Sequence, residues 1–257
     1  MVPSPFFYTV VAGLSTGLGG VLAAAVRPSR RALDACMGFA GGVMLAISLA
    51  DLAPEALAFY GGRMSPAGAG AAAVSLMAAG AVIAALLSRL LPEDAALAGL
   101  CRGDAGRTAV LRAGLAVGAA LVLHNLPEGV LTLFSGAADP ALGRRTALAV
   151  ALHNIPEGLA IAAPLAWATG KRGQAVGAAL ASGLAEPAGA LLAWGALGGH
   201  ITAGLVTGMA ALVSGVMCWV SVCELLPTGL SMARRETAAA GFGAGLLTMT
   251  LGIALLS

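Results

Sequence analysis

Residues 109–135 read AVLRAGLAVGAALVLHNLPEGVLTLFS. Apart from Arg112 near its start, the stretch is uncharged until His124-Asn125-Leu126-Pro127-Glu128-Gly129. As a helix rising about 1.5 Å per residue, it is longer than the roughly 30 Å of hydrocarbon in a bilayer. It reads as a membrane span with an imidazole and a carboxylate in its apolar part. The hexapeptide returns in 146–167 as His153-Asn154-Ile155-Pro156-Glu157-Gly158, so two of the chain's three histidines sit in copies of one pattern.

The rest of the chain agrees with a membrane setting. Charged residues are 10% of the 257 and apolar ones 59%, with a mean hydropathy of +0.92. An ordinary soluble domain carries roughly 25% charged residues, and this chain lacks the polar side chains to cover a water-facing surface. Apolar stretches separated by short charged breaks predict spans near 6–26, 34–59, 66–91, 109–135, 146–167, 174–198, 201–227 and 239–256. The fold expected is all-α, a polytopic bundle of eight transmembrane helices forming one domain over residues 1–257. Abundant glycine, as in Gly38-Phe39-Ala40-Gly41-Gly42, suits spans that pack backbone to backbone. A net charge of +2 gives no reason to expect nucleic acid as a partner.

Basic residues set the expected orientation. Eleven of the fourteen lysines and arginines, among them Arg30, Arg102, Lys171 and Arg234, fall in or beside odd-numbered breaks; only Arg63, Arg144 and Arg145 fall in even ones. Cytoplasmic loops attract Lys and Arg, so the odd breaks are expected inside and both termini outside. Cys36 and Cys101 then lie toward the reducing side, while Cys218 and Cys223, five residues apart, are poorly spaced to share a ligand; all four read as packing.

An ionisable group inside a membrane is costly, which marks it as functional by default. Positions i and i+4 share a helix face, so His124 stands one turn from Glu128, and His153 one turn from Glu157, with Asn125 and Asn154 alongside. Pro127 and Pro156 have no N–H, which takes the usual partner from the carbonyls of Leu123 and Leu152. Ser182-Gly183-Leu184-Ala185-Glu186-Pro187 adds a third acid, with Pro187 freeing the Gly183 carbonyl in the same way. Three carboxylates and two imidazoles converging in a bundle ask for a cation. Imidazole with carboxylate suits zinc, iron, manganese or cobalt rather than copper(I). The five groups exceed one tetrahedral zinc shell, and two adjacent metal positions bridged by glutamates would use them all. Asp51 and Glu55 are either an attracting vestibule or interfacial and hydrated. Met44, two turns before Asp51, is packing or a neighbour of the site. Glu224 is an exit ligand or a partner for Arg234, and His200 reads as solvated loop.

The paired His-Asn-x-Pro-Glu-Gly segments resemble the signature of the ZIP family of metal-ion transporters. The stretches ALHNIPEGLAIAA (151–163), SGLAEPAGALLAW (182–194) and GGVMLAISLADL (41–52) are most similar to its bacterial branch. The resemblance implies uptake of zinc, with iron, manganese, cobalt or cadmium tolerated, through a multi-pass protein of the bacterial inner membrane. It implies a binuclear site on the fourth to sixth spans and an elevator-like motion of those spans against a scaffold. Carried over by position, His124, Glu128, His153, Glu157 and Glu186 are metal ligands, Asn125 and Asn154 complete the second position, and Met44 is a site neighbour. The metal is then cargo, with no cofactor expected; the partners are the ion and the lipid bilayer, with a homodimer left open. Residues 91–108 depart from the family, whose third break often holds a His-rich segment; here there is no histidine. Two rivals stand beside this reading. One is a membrane-embedded metal-dependent hydrolase, which lacks an HExxH motif here. The other is a purely structural bundle.

Overall fold

The computed structural model of the chain describes residues 5–25, 29–92, 94–197, 202–231 and 235–256. His200 and Arg234, each weighed above, lie outside these. Among the described residues, eight helices are long and apolar enough to cross a bilayer: α1 (Phe6–Ala25), α2 (Arg30–Gly61), α3 (Pro66–Arg89), α4 (Ala105–Ala138), α5 (Pro140–Thr169), α6 (Arg172–Ala196), α7 (Ala203–Leu230) and α8 (Arg235–Leu255). No strand occurs among the described residues, and the protein is an all-α, multi-pass membrane protein.

Several helices run past the apolar stretch that announces them, because polar caps lie outside it. Ser29 accepts from the Ala32 N–H and Asp104 from the Arg107 N–H, so α2 and α4 begin four residues ahead of the spans read from hydropathy. Ser65 and Asp139 cap α3 and α5, each followed by a proline at the first helical position, where a missing N–H costs nothing. Gly170, at φ 73°, ends α5 in the left-handed conformation glycine tolerates. The loop between α3 and α4 holds a short helix, Asp94–Ala98, whose Leu97 and following Cys101 are buried.

The most extensive helix pairings fall in two sets. One joins α1, α4, α5 and α6; the other joins α2, α3, α7 and α8; α2 against α5 and α7 against α4 connect them. Lipid tails are as apolar as leucine, so close packing rather than the hydrophobic effect holds such helices together, and small residues permit it. A Cβ on Gly158 would collide with the Thr16 carbonyl of α1, and one on Gly129 with the Glu186 carbonyl of α6. Each glycine that follows a Pro-Glu pair is thus the point where another backbone touches. α3 and α8 bury least of their surface and lie at the periphery.

A repeat that hydropathy alone passes over shapes α2 and α7. Gly42-Val43-Met44, Ser48, Asp51-Leu52 and Pro54 recur in register as Gly215-Val216-Met217, Ser221, Glu224-Leu225 and Pro227. Both copies widen into a π-helical turn, Ser48–Leu52 and Val220–Leu225, with the Ala53 N–H bonding the Ser48 carbonyl and the Leu226 N–H the Ser221 carbonyl. A proline follows one residue later in each, and the wide turn makes room for a ring that an α-helical carbonyl would obstruct. The two segments also bond across to each other. The Ser214 hydroxyl donates to the Ser48 carbonyl at 2.9 Å, and the Ser221 hydroxyl to that of Gly41 at 2.6 Å. Gly41 and Ser214 correspond in the repeat, as do Ser48 and Ser221.

A cavity of about 470 Å³ enters the bundle between the two helix sets. Asp51, Glu55 and Arg145 line it together with His124, Glu128 and His153. At the other end of these helices, the guanidinium carbons of Arg30 and Arg107 stand 5.5 and 5.3 Å from the centre of the Trp167 ring, tying α2, α4 and α5 together.

Candidate metal centre

α4 and α5 run through Pro127 and Pro156 without interruption, whereas α6 breaks at Leu184, two residues before Glu186. These three helices bring the predicted groups together. His153 Nε2 lies 2.6 Å from Glu128 Oε1. His124 Nε2 lies 3.4 Å from Glu128 Oε2 and 3.4 Å from Glu157 Oε1. Ligand atoms of His124, Glu128 and His153 all fall within 4.8 Å of one another, close enough to share one ion. Glu128 is 8% exposed and Glu157 and Glu186 are fully buried, as are both asparagines.

The asparagines are held by their nitrogens. Asn125 Nδ2 donates to the Ser182 carbonyl at 3.0 Å and lies 3.4 Å from the Ser182 hydroxyl. Asn154 Nδ2 donates to the Ala12 carbonyl of α1 at 2.9 Å and to Glu186 Oε1. Both amide groups thus reserve their oxygens, and neither Asn125 Oδ1 nor Asn154 Oδ1 has a hydrogen-bond partner. The same holds for both oxygens of Glu157, for Glu186 Oε2, for Glu128 Oε2 and for both ring nitrogens of His124. A buried polar atom without a partner costs about 1–3 kcal/mol, and more if charged. So many in one place, nearly all lone-pair donors, are what a divalent cation would satisfy.

The remaining predicted residues separate. Asp51 and Glu55 lie on α2 at the cavity wall, with Asp51 in electrostatic reach of His153. Met44 is fully buried in α2 and is not among the residues that line the cavity.

Comparison with known proteins gives the family. The family model described as ZIP zinc transporter matches residues 102–257, which include α4, α5 and α6. The chain belongs to the ZIP zinc transporter family. It is 38% identical to the zinc transporter ZupT of Corynebacterium efficiens, over 97% of this chain and 96% of that one. It is 35% identical to the ZupT of Chlorobium luteolum, over 97% and 96%, and 37% identical to that of Akkermansia muciniphila, over 96% and 95%. ZIP proteins are transporters rather than enzymes, which removes the hydrolase reading.

Three features of this ZIP chain escape a sequence reading. Ser182 was legible only as a neighbour of Glu186, yet it orients Asn125. The Ala12 carbonyl orients Asn154 and carries no side-chain signal at all. Arg145 enters a sequence argument only through orientation, yet it shares the cavity with Asp51 and Glu55.

Proposed function

We propose that the chain takes up divalent transition-metal ions, zinc preferred with iron, manganese, cobalt or cadmium tolerated, across the bacterial inner membrane. The observation that carries this is the buried set of partnerless acceptors on α4, α5 and α6. His124, Glu128, His153 and Glu157 form one metal position. Asn125, Asn154 and Glu186 form a second beside it, with a glutamate carboxylate bridging the two. In the metal-free site a proton sits between His153 Nε2 and Glu128 Oε1; an entering ion takes its place, because imidazole and carboxylate ligate only when deprotonated. Asp51 and Glu55 attract cations into the cavity, and Met44 backs the site from α2.

The site helices belong to one helix set and the vestibule acids to the other, which supports sliding of α4, α5 and α6 with α1 against a scaffold. The basic breaks face the cytoplasm and both termini face outward, within a single membrane domain. α3 and α8 are the faces left for lipid or for a second copy of the chain.

Zinc flux into sealed proteoliposomes, with and without an imposed pH gradient, tests the proposal. Saturable zinc entry that is lost in a Glu128→Ala, His153→Ala protein supports it. Protein that folds in the bilayer yet passes no zinc overturns it.

A further inference from the structure

The cavity that holds the candidate ligands reaches no further along α5 than His153, and it takes nothing of α2 before Ile47 or of α4 before His124. Past those residues the two helix sets close on each other, and Leu33 and Met37 of α2 lie in one buried cluster with Leu111 of α4 and Ala166 of α5. The stack of Arg30, Trp167 and Arg107 stands at this closed end. Trp167 is fourteen residues beyond His153, about 21 Å along the helix, and Arg107 is seventeen before His124, about 25 Å. We infer that Arg30 over Trp167 is a latch, which holds the far end shut while the cavity is open and parts each time an ion leaves by that end. The latch presupposes the transport proposed above, in which α4 and α5 shift against α2.

The two cations on the ring are not equivalent. Their distances nearly match, 5.5 Å for Arg30 and 5.3 Å for Arg107. Arg107 and Trp167, however, belong to one helix set and Arg30 to the other. Arg107 is also tied to its own helix, with Nε 3.8 Å from Oδ2 of Asp104, the residue that caps α4. When the sets shift, Arg107 travels with the ring and Arg30 stays behind.

Helix formation does not ask for these charges. Arg30 opens α2, and Arg107 lies in the first turn of α4. A helix N-terminus is the positive end of its dipole and favours an anion rather than a cation. A basic bias at one membrane face brings arginines to this end, but it does not aim two of them at one ring. Trp167 is half-buried. In such a setting a cation over an aromatic face biases two states without locking them, by about two- to fivefold in their ratio.

The test places spin labels on Arg31→Cys and Lys171→Cys, one on each side of the closed end, in full-length protein stripped of its native four cysteines. Label-to-label distances are read in lipid nanodiscs, with and without zinc; the shorter population is the shut end and the longer the open one. Arg30→Gln and Trp167→Leu should each raise the ratio of long to short about two- to fivefold, and together no more than either alone. Arg107→Gln should leave the ratio where it is, since Arg107 moves with the ring; a purely structural stack would make the two arginines alike. Equal shifts in Arg30→Gln and Arg107→Gln, or no shift in Arg30→Gln, overturn the latch. Zinc flux is measured on the same proteins in proteoliposomes. Wild-type protein that passes no zinc overturns the transport reading, whereas zinc flux with an unmoved ratio in Arg30→Gln overturns the latch alone.

Discussion

Replacing Glu157 by glutamine is the sharpest perturbation of the proposed metal centre, because it changes charge with little change in shape. Glu157 is fully buried, neither carboxylate oxygen has a hydrogen-bond partner, and Oε1 lies 3.4 Å from His124 Nε2. With metal bound, the loss of one member of a buried charge pair costs about 3–5 kcal/mol. At about 1.4 kcal/mol per decade, zinc affinity should fall by two to three and a half orders of magnitude. A ligand at 100 times its Kd stabilises the folded state by about 2.7 kcal/mol, and the smallest loss in that range leaves roughly 0.3 kcal/mol. Zinc should therefore raise the unfolding temperature of the native protein in detergent and barely move that of Glu157→Gln, while uptake in proteoliposomes falls with it. Wild-type zinc stabilisation together with wild-type uptake in Glu157→Gln would refute the assignment of this carboxylate to the metal.

Zinc affinity should weaken as pH falls from about 7 to 5.5, because protons compete at imidazoles whose unperturbed pKa is near 6.5; a zinc titration across that range checks it. Replacing His124 and His153 together with asparagine should cost more zinc than manganese transport, since manganese loses less when nitrogen becomes oxygen, as competition against labelled zinc would show. Gly129→Val should destabilise the bundle by at least about 1–3 kcal/mol, read as a lower unfolding temperature, because its side chain meets the Glu186 backbone. A single cysteine at Arg102, in a chain stripped of its native four, should resist impermeant thiol reagents in intact cells.

Much of this architecture is readable before folding. Hydropathy alone separates the eight spans, since a lipid-facing helix must be apolar along its length. The ligand types stand out because ionisable groups are rare in such a background, and the His–Glu spacing puts each pair on one face. What sequence does not carry is how the faces are aimed. Asn125 and Asn154 are legible as candidates, but which end of each amide is held and which is left without a partner depends on the Ser182 and Ala12 carbonyls, which come from other helices. The helix ends were short where caps lie outside the apolar stretch, as at Ser29 and Asp104. The paired π-helical turns had a signal in the repeat around Ser48 and Ser221, but a widened turn leaves no trace in hydropathy.

Those widened turns bear on how the chain tolerates changes in length. Removing one residue from a transmembrane helix ordinarily swings everything beyond it by about 100° and turns lipid-facing side chains inward. Within Ser48–Leu52 the helix already holds one residue more than an α-helical turn needs, the Ala53 N–H reaching back five positions. Deleting Leu49 or Ala50 would shorten that reach to four and leave the flanking residues facing as before. Val220–Leu225 offers the same slack. Single-residue deletions should survive selection for membrane insertion at these two places in α2 and α7, and fail in the straight parts of α4 and α5, so that natural length variation inside the spans collects there.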